Sequence, residues 1–115
     1  MQNFDFIYKI EIELDDEKII AEKKYDIKSI YSAIRDLFAR EKIKEIKSHV
    51  PNMLTFASNK KDSKELGRFG AVESALLVKD QRLLPYISKV TWYDTLYNKV
   101  NTEDVLEVFM KNGLI

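Results

Sequence analysis

The chain has no cysteine, one histidine, three glycines and two prolines in 115 residues. Without cysteine there are no disulfides, thiol nucleophiles or thiolate-bound zinc, and an intracellular setting is the natural expectation. The single histidine, His49, excludes His-pair metal sites and disfavours a Ser-His-Asp constellation. Apolar runs are only a few residues long, well short of the roughly 20 that a membrane-spanning helix needs. The opening Met1-Gln2-Asn3-Phe4-Asp5 lacks the basic and apolar regions of a secretory signal. These absences together predict a cytoplasmic protein with no membrane partner. The formal net charge is zero, which argues against a dedicated polyanion binder.

What is present is ordinary for a folded domain: 45% hydrophobic and 33% charged residues, enough to build one core over 1–115. The charge is unevenly spread. Residues 1–26 carry four lysines against eight acids, whereas residues 35–68 carry nine Lys/Arg against five acids. Two differently charged solvated faces account for this.

The stretch Asp62–Leu77 organises the rest. Asp62 and Glu65 make a helix-start signature, and Leu66, Phe69, Leu76 and Leu77 follow as an apolar stripe. Gly67, Gly70, Ala71 and Ser74 form a second stripe of small residues. Each helical glycine costs about 1 kcal/mol against alanine. Close packing of a neighbouring backbone on this face is the expected compensation. The helix is expected to run to about Arg82, and Pro85 to kink it or open a new turn.

Around it, Phe4, Phe6, Tyr8, Ile10, Ile12 and Leu14 alternate with mostly polar residues, the period of a half-buried strand. Asp15 to Lys18 read as a turn and Ile19 to Tyr25 as a returning strand. Asp26 caps a helix whose stripe is Ile27, Ile30, Tyr31, Ile34, Leu37 and Phe38. Ile43–Val50 and Met53–Ala57 are expected strands around a Pro51-Asn52 turn. A strand at about Ile87–Tyr93 follows, although a helix also suits that composition. A short last helix is capped by Asn101 or Thr102 and stopped by Gly113. The order β-β-α-β-β-α-β-α predicts an α+β fold, a mainly antiparallel sheet with helices on one face. Without the first strand, β-α-β-β-α-β remains, and a ferredoxin-like core is the alternative.

Few residues suggest chemistry. Asp15, Asp16 and Glu17 fall at an expected hairpin tip and read as solvated surface rather than a metal site. Gly67-Arg68-Phe69-Gly70 lies inside a helix, whereas a phosphate-cradling loop lies between a strand and a helix start. Neither a cofactor nor a metal is expected. Lys60, Lys61, Lys64 and Arg68 form a basic cluster that Lys42, Lys44 and Lys47 could extend. It is the candidate anion or nucleic-acid surface. Tyr86, Trp92, Tyr93 and Tyr97 either complete the core or form an aromatic patch for a protein partner or a second copy, since Trp and Tyr dominate interface hot spots.

With Gly67-Arg68-Phe69-Gly70-Ala71 in the middle and Trp92-Tyr93 followed by Glu103-Asp104-Val105-Leu106 near the end, the chain resembles small uncharacterised accessory proteins carried by conjugative elements of Firmicutes. The resemblance implies an accessory role on mobile DNA and supplies no active site to transfer. The expected function is a non-catalytic protein-interaction module, homodimeric in one version. Nucleic-acid binding through the basic cluster is the alternative.

Overall fold

In the computed structural model, which describes residues 5–115, the central element is strand β1, Tyr8–Leu14. Phe4, the first member of the alternating run, lies outside the described residues. Tyr8, Ile10, Ile12 and Leu14 are all buried on one face of β1, as their period of two requires. Phe6 leaves the alternation, and its ring meets Tyr93 edge-on at 6.4 Å.

The returning strand expected at Ile19–Tyr25 is a helix, α1, Asp16–Glu22. Asp15 caps it by accepting from the Lys18 N–H, Asp16 and Glu17 sit in its positive first turn, and Lys23 closes it with φ 54°. Ile19 is buried while Ile20 is exposed, so the apparent alternation Ile19-Ala21-Lys23-Tyr25 held only one core residue. Helix α2, Ile27–Arg40, follows its Asp26 cap as expected and buries Ile30, Ile34 and Phe38. Phe38 stacks on Phe56 of strand β3 with centroids 3.7 Å apart.

Strand β2 is only Lys44–Ile46, shorter than the expected Ile43–Val50, and β3 is Met53–Ser58. Helix α3, Ser63–Ser74, has the anticipated Asp62 cap. It ends sooner than Arg82, passing through a π turn at Ala75–Lys79. Pro85 opens a short 3-10 turn, Leu84–Tyr86, that leads into strand β4, Ile87–Asp94. Asn101 and Thr102, expected to cap the last helix, lie instead in strand β5, Asn101–Asp104. The cap is Asp104, and helix α4 is Val105–Lys111.

The sheet order is β2-β3-β1-β4-β5, with every neighbouring pair antiparallel. The fold is therefore α+β, and β1 to β4 with their crossovers follow the ferredoxin-like β-α-β-β-α-β order. The additions are a second helix in the first crossover, plus β5 and α4. Register places Ile12 between Leu54 and Val90, and Ile10 between Phe56 and Trp92. Side chains of all four helices cover this one face, including Ile19, Ile34, Phe69 and Val105. The other face carries Lys9, Glu11 and Glu13 from β1 and, among the described residues, no helix of that core.

Gly67 and Gly70 do not pack against anything. Both are exposed, and a Cβ added to either would find no atom within 4 Å. The close-packed glycine face expected from the sequence is absent, because α3 turns Phe69 and Val72 to the core and its small residues to solvent.

Candidate functional site

A concavity lies between α2 and the π turn that follows α3. Ser29, Ala33, Asp36, Leu37 and Arg40 recur at helical spacing along one wall, and Ala75, Leu76 and Lys79 form the other. Tyr25 and Leu83 close one end of this groove, whose volume is about 530 Å³. Ala33 and Ala75 are too small to fill the space between the helices. The second wall lies in the π turn, whose hydrogen bonds span one residue more than those of an α-helix, and Lys79 is its last residue. From Ser29 to Arg40 the wall is about 16 Å long at 1.5 Å per residue.

Strand directions require α2 and α3 to run antiparallel, so Arg40 and Lys79, each at a helix end, stand at opposite ends of the groove. Asp80 is already held by Arg82, Nη2 to Oδ2 at 2.6 Å. Among the described residues Arg40, Lys79 and Asp36 make no ion pair.

A second cluster lies on the helix-free sheet face. Glu11, mid-strand in β1, is only 5% exposed. Tyr93 Oη donates to its Oε1 at 2.6 Å, and exposed His49 places Nδ1 3.6 Å from its Oε2. Burial first, and then the Glu11 carboxylate, pushes the Tyr93 phenol up to about 12. Lys9 Nζ lies 4.5 Å from the ring centroids of both Phe6 and Tyr93. The arrangement clamps β1 to β4 on the open face. In sequence Glu11 was one polar member of an alternation. Its burial follows from having a strand on each side.

The four candidate aromatics go to three places. Tyr86 is buried and donates to Glu22 Oε1 at 2.7 Å, and its phenol is pushed up to about 12, first by that bond. Trp92 stacks on Tyr8 at 5.5 Å and meets Phe69 edge-on on the core side. Tyr93 faces the open side, and Tyr97, 77% exposed, lies in the β4–β5 connection.

In the basic cluster Lys60, Lys61 and Lys64 are exposed, but Arg68 Nη1 donates to Glu65 Oε1 at 2.8 Å. Glu65 is almost wholly buried; burial alone would raise its pKa, yet hydrogen bonds from Ser58 and Arg68 outweigh it and hold the carboxyl below its ordinary value. Lys42, Lys44 and Lys60 line a smaller depression of about 380 Å³ shared with Phe6, Asp5 and Glu65. The acidic run at Asp15–Glu17 is a helix start, with Asp16 accepting from Tyr31 Oη at 2.7 Å.

The sequence missed Glu73 of α3. Burial, with Glu103 of β5 adding like charge, raises its carboxyl to about 7. No three His, Cys, Asp or Glu side chains converge among the described residues. No described helix is long and apolar enough to cross a membrane. The chain matches no family model, no curated protein and no solved structure.

Proposed function

We propose that the protein is a non-catalytic protein-interaction module whose docking surface is the α2–α3 groove, occupied by an amphipathic helix of a partner protein. The groove itself carries this reading. Its α2 wall is long enough for about three turns of helix, and its lining joins apolar Ile30, Leu37, Leu76 and Leu83 with small Ala33 and Ala75. A helix laid there would bury its apolar stripe in the manner of helix-in-groove recognition. Arg40 and Lys79 favour acidic residues at both ends of that helix, and Asp36 favours a basic residue between them. An accessory role on a mobile element, implied by the resemblance above, suits such an adaptor.

The test is a selection of displayed random peptides against the full chain, with the selected peptides titrated by fluorescence anisotropy. Ala33→Glu places charge on the α2 wall of the groove at an exposed position. Peptides with an apolar helical stripe and acidic ends, losing at least tenfold in affinity (about 1.4 kcal/mol) against this variant, are expected. Peptides that bind the variant equally well count against the groove.

The nucleic-acid reading is favoured by one observation, the alignment of Lys42, Lys44 and Lys60 along one depression beside exposed Lys61 and Lys64. Asp5 and Glu65 in the same depression oppose it. Titration of single-stranded and duplex oligonucleotides at low salt decides, because phosphate contacts of this kind weaken steeply as salt rises.

A further inference from the structure

The two edges of the sheet are not equivalent. Edge strand β2 is three residues long, with Lys42, Lys44 and Lys47 in and beside it, and Glu45 is tied back to α2 by Arg35 at 2.9 Å. A short, lysine-bearing edge is how proteins block pairing with another chain. Edge strand β5 is four residues long, its charges are the acids Glu103 and Asp104 with one lysine, Lys99, two residues before it, and Thr102, Glu103 and Asp104 are exposed along it. Exposed apolar side chains flank it along the chain: Tyr97 and Val100 in the connection before it, Met110 and Leu114 on and just after the helix that follows.

We infer that β5 is a homodimerisation edge, on which a second copy of this chain adds its own β5 antiparallel and continues the sheet. This goes beyond the groove reading and uses a different surface. A two-fold axis perpendicular to the sheet keeps the helices of both copies on one side, where α4 can meet its mate and cover Met110 and Leu114. It also permits only registers in which residues of like facing meet. Centring on Glu103 sets two carboxylates directly opposite, and centring on Asn101 draws on residues before the strand begins. Centring on Thr102 avoids both. Thr102 then faces its mate, a favourable cross-strand pair, and Asn101 faces Glu103 of the second copy. Asn101 already donates one amide N–H to Asp94 Oδ1 at 3.1 Å. An amide nitrogen has two N–H donors, so the other is available for that Glu103 carboxylate. By symmetry the bond forms twice, as in any isologous interface.

The absence of cysteine makes a cross-linking test direct. Residues directly opposite in an antiparallel pair lie within the span that a disulfide bridges. Under mild oxidation Thr102→Cys is therefore expected to give a covalent dimer. Ile46→Cys, exposed on the guarded edge, is expected to remain largely monomeric. Light scattering of the wild-type chain is expected to show a dimer, and Thr102→Lys to weaken it at least tenfold. A wild-type monomer up to about 1 mM, where only pairing weaker than that escapes notice, overturns the inference. So does equal cross-linking at positions 46 and 102, or a dimer indifferent to Thr102→Lys. If Thr102→Lys does not fold, the cross-linking comparison decides. The groove variant Ala33→Glu is expected to leave the dimer unchanged, so either reading can fail while the other stands.

Discussion

Glu73 gives the sharpest test of the electrostatics. It is half-buried on α3, Glu103 is the charged neighbour that acts on it, and among the described residues no cation pairs with it. Its carboxyl titrates at about 7 in the fold against an ordinary 4.5. Between those values the native state keeps a proton that the unfolded chain has lost. Stability therefore falls as pH rises from 4.5 to about 7, and the penalty is constant above that. At about 1.4 kcal/mol per pH unit, the ceiling is roughly 3 kcal/mol. Partial solvent access lowers the expected figure to about 1–3 kcal/mol. Glu73→Gln has no proton to lose, so its advantage over wild type in urea unfolding should be near zero at pH 4.5 and grow to that figure by pH 8. Protein concentration is held fixed throughout. Burial outranks the neighbour as the cause, so Glu103→Gln should recover less. Glu65, whose pKa is held low, works in the opposite sense: its contribution is present above the ordinary value and lost as pH falls through the folded one. A Glu73→Gln effect independent of pH, or a loss of stability at pH 8, refutes the reasoning.

Gly67→Ala and Gly70→Ala are each expected to raise stability by about 0.5–1 kcal/mol, since both sites are helical and open to solvent; chemical denaturation checks this, and destabilisation would restore the close-packing idea. Phe38→Ala removes one of two stacked buried rings and should cost about 3–5 kcal/mol in the same measurement. Glu11→Gln should bring the Tyr93 phenol down from about 12 without returning it to 10, because burial is the larger cause; ultraviolet or NMR titration reads the shift, and no movement would mean that Glu11 does not set it.

How much of this was legible in the chain depends on where each signal resides. Strand β1 and helix α2 were readable because pattern and burial agree: a period of two through Tyr8–Leu14, and a cap at Asp26 before Ile30, Ile34 and Phe38. Helix α1 was missed because seven residues with one buried side chain leave little helical stripe to see. Its Asp15 cap and the acids of its first turn were the signal available. Strand β5 was missed for the opposite reason. Asn101–Asp104 has weak strand propensity and is extended because β4 offers it an edge. The glycine face failed as an inference because glycine in a helix need not be compensated locally; a cost of about 1 kcal/mol is absorbed by a large core. The groove could not be read at all. It depends on α2 and the Ala75–Lys79 turn lining one concavity, and those segments meet only when the crossovers are folded.

The fate of the tyrosines bears on function more directly than any motif did. Tyr31, Tyr86 and Tyr93 each donate to a carboxylate from another part of the fold: Asp16, Glu22 and Glu11, at 2.7, 2.7 and 2.6 Å. In sequence those three acids counted toward an acidic surface in the first 26 residues. Each instead joins two elements: α1 to α2, α1 to the 3-10 turn, and β1 to β4. The bonds also draw the hydroxyls of three of the six tyrosines away from any surface they might have offered a partner. The two surfaces proposed above, the groove and the β5 edge, use none of these three hydroxyls. Neither has to give up an internal hydrogen bond when it is covered. Covering either surface desolvates charged groups, Arg40, Lys79 and Asp36 in the groove and Glu103 at the edge, so a chain that binds there has to supply partners for them.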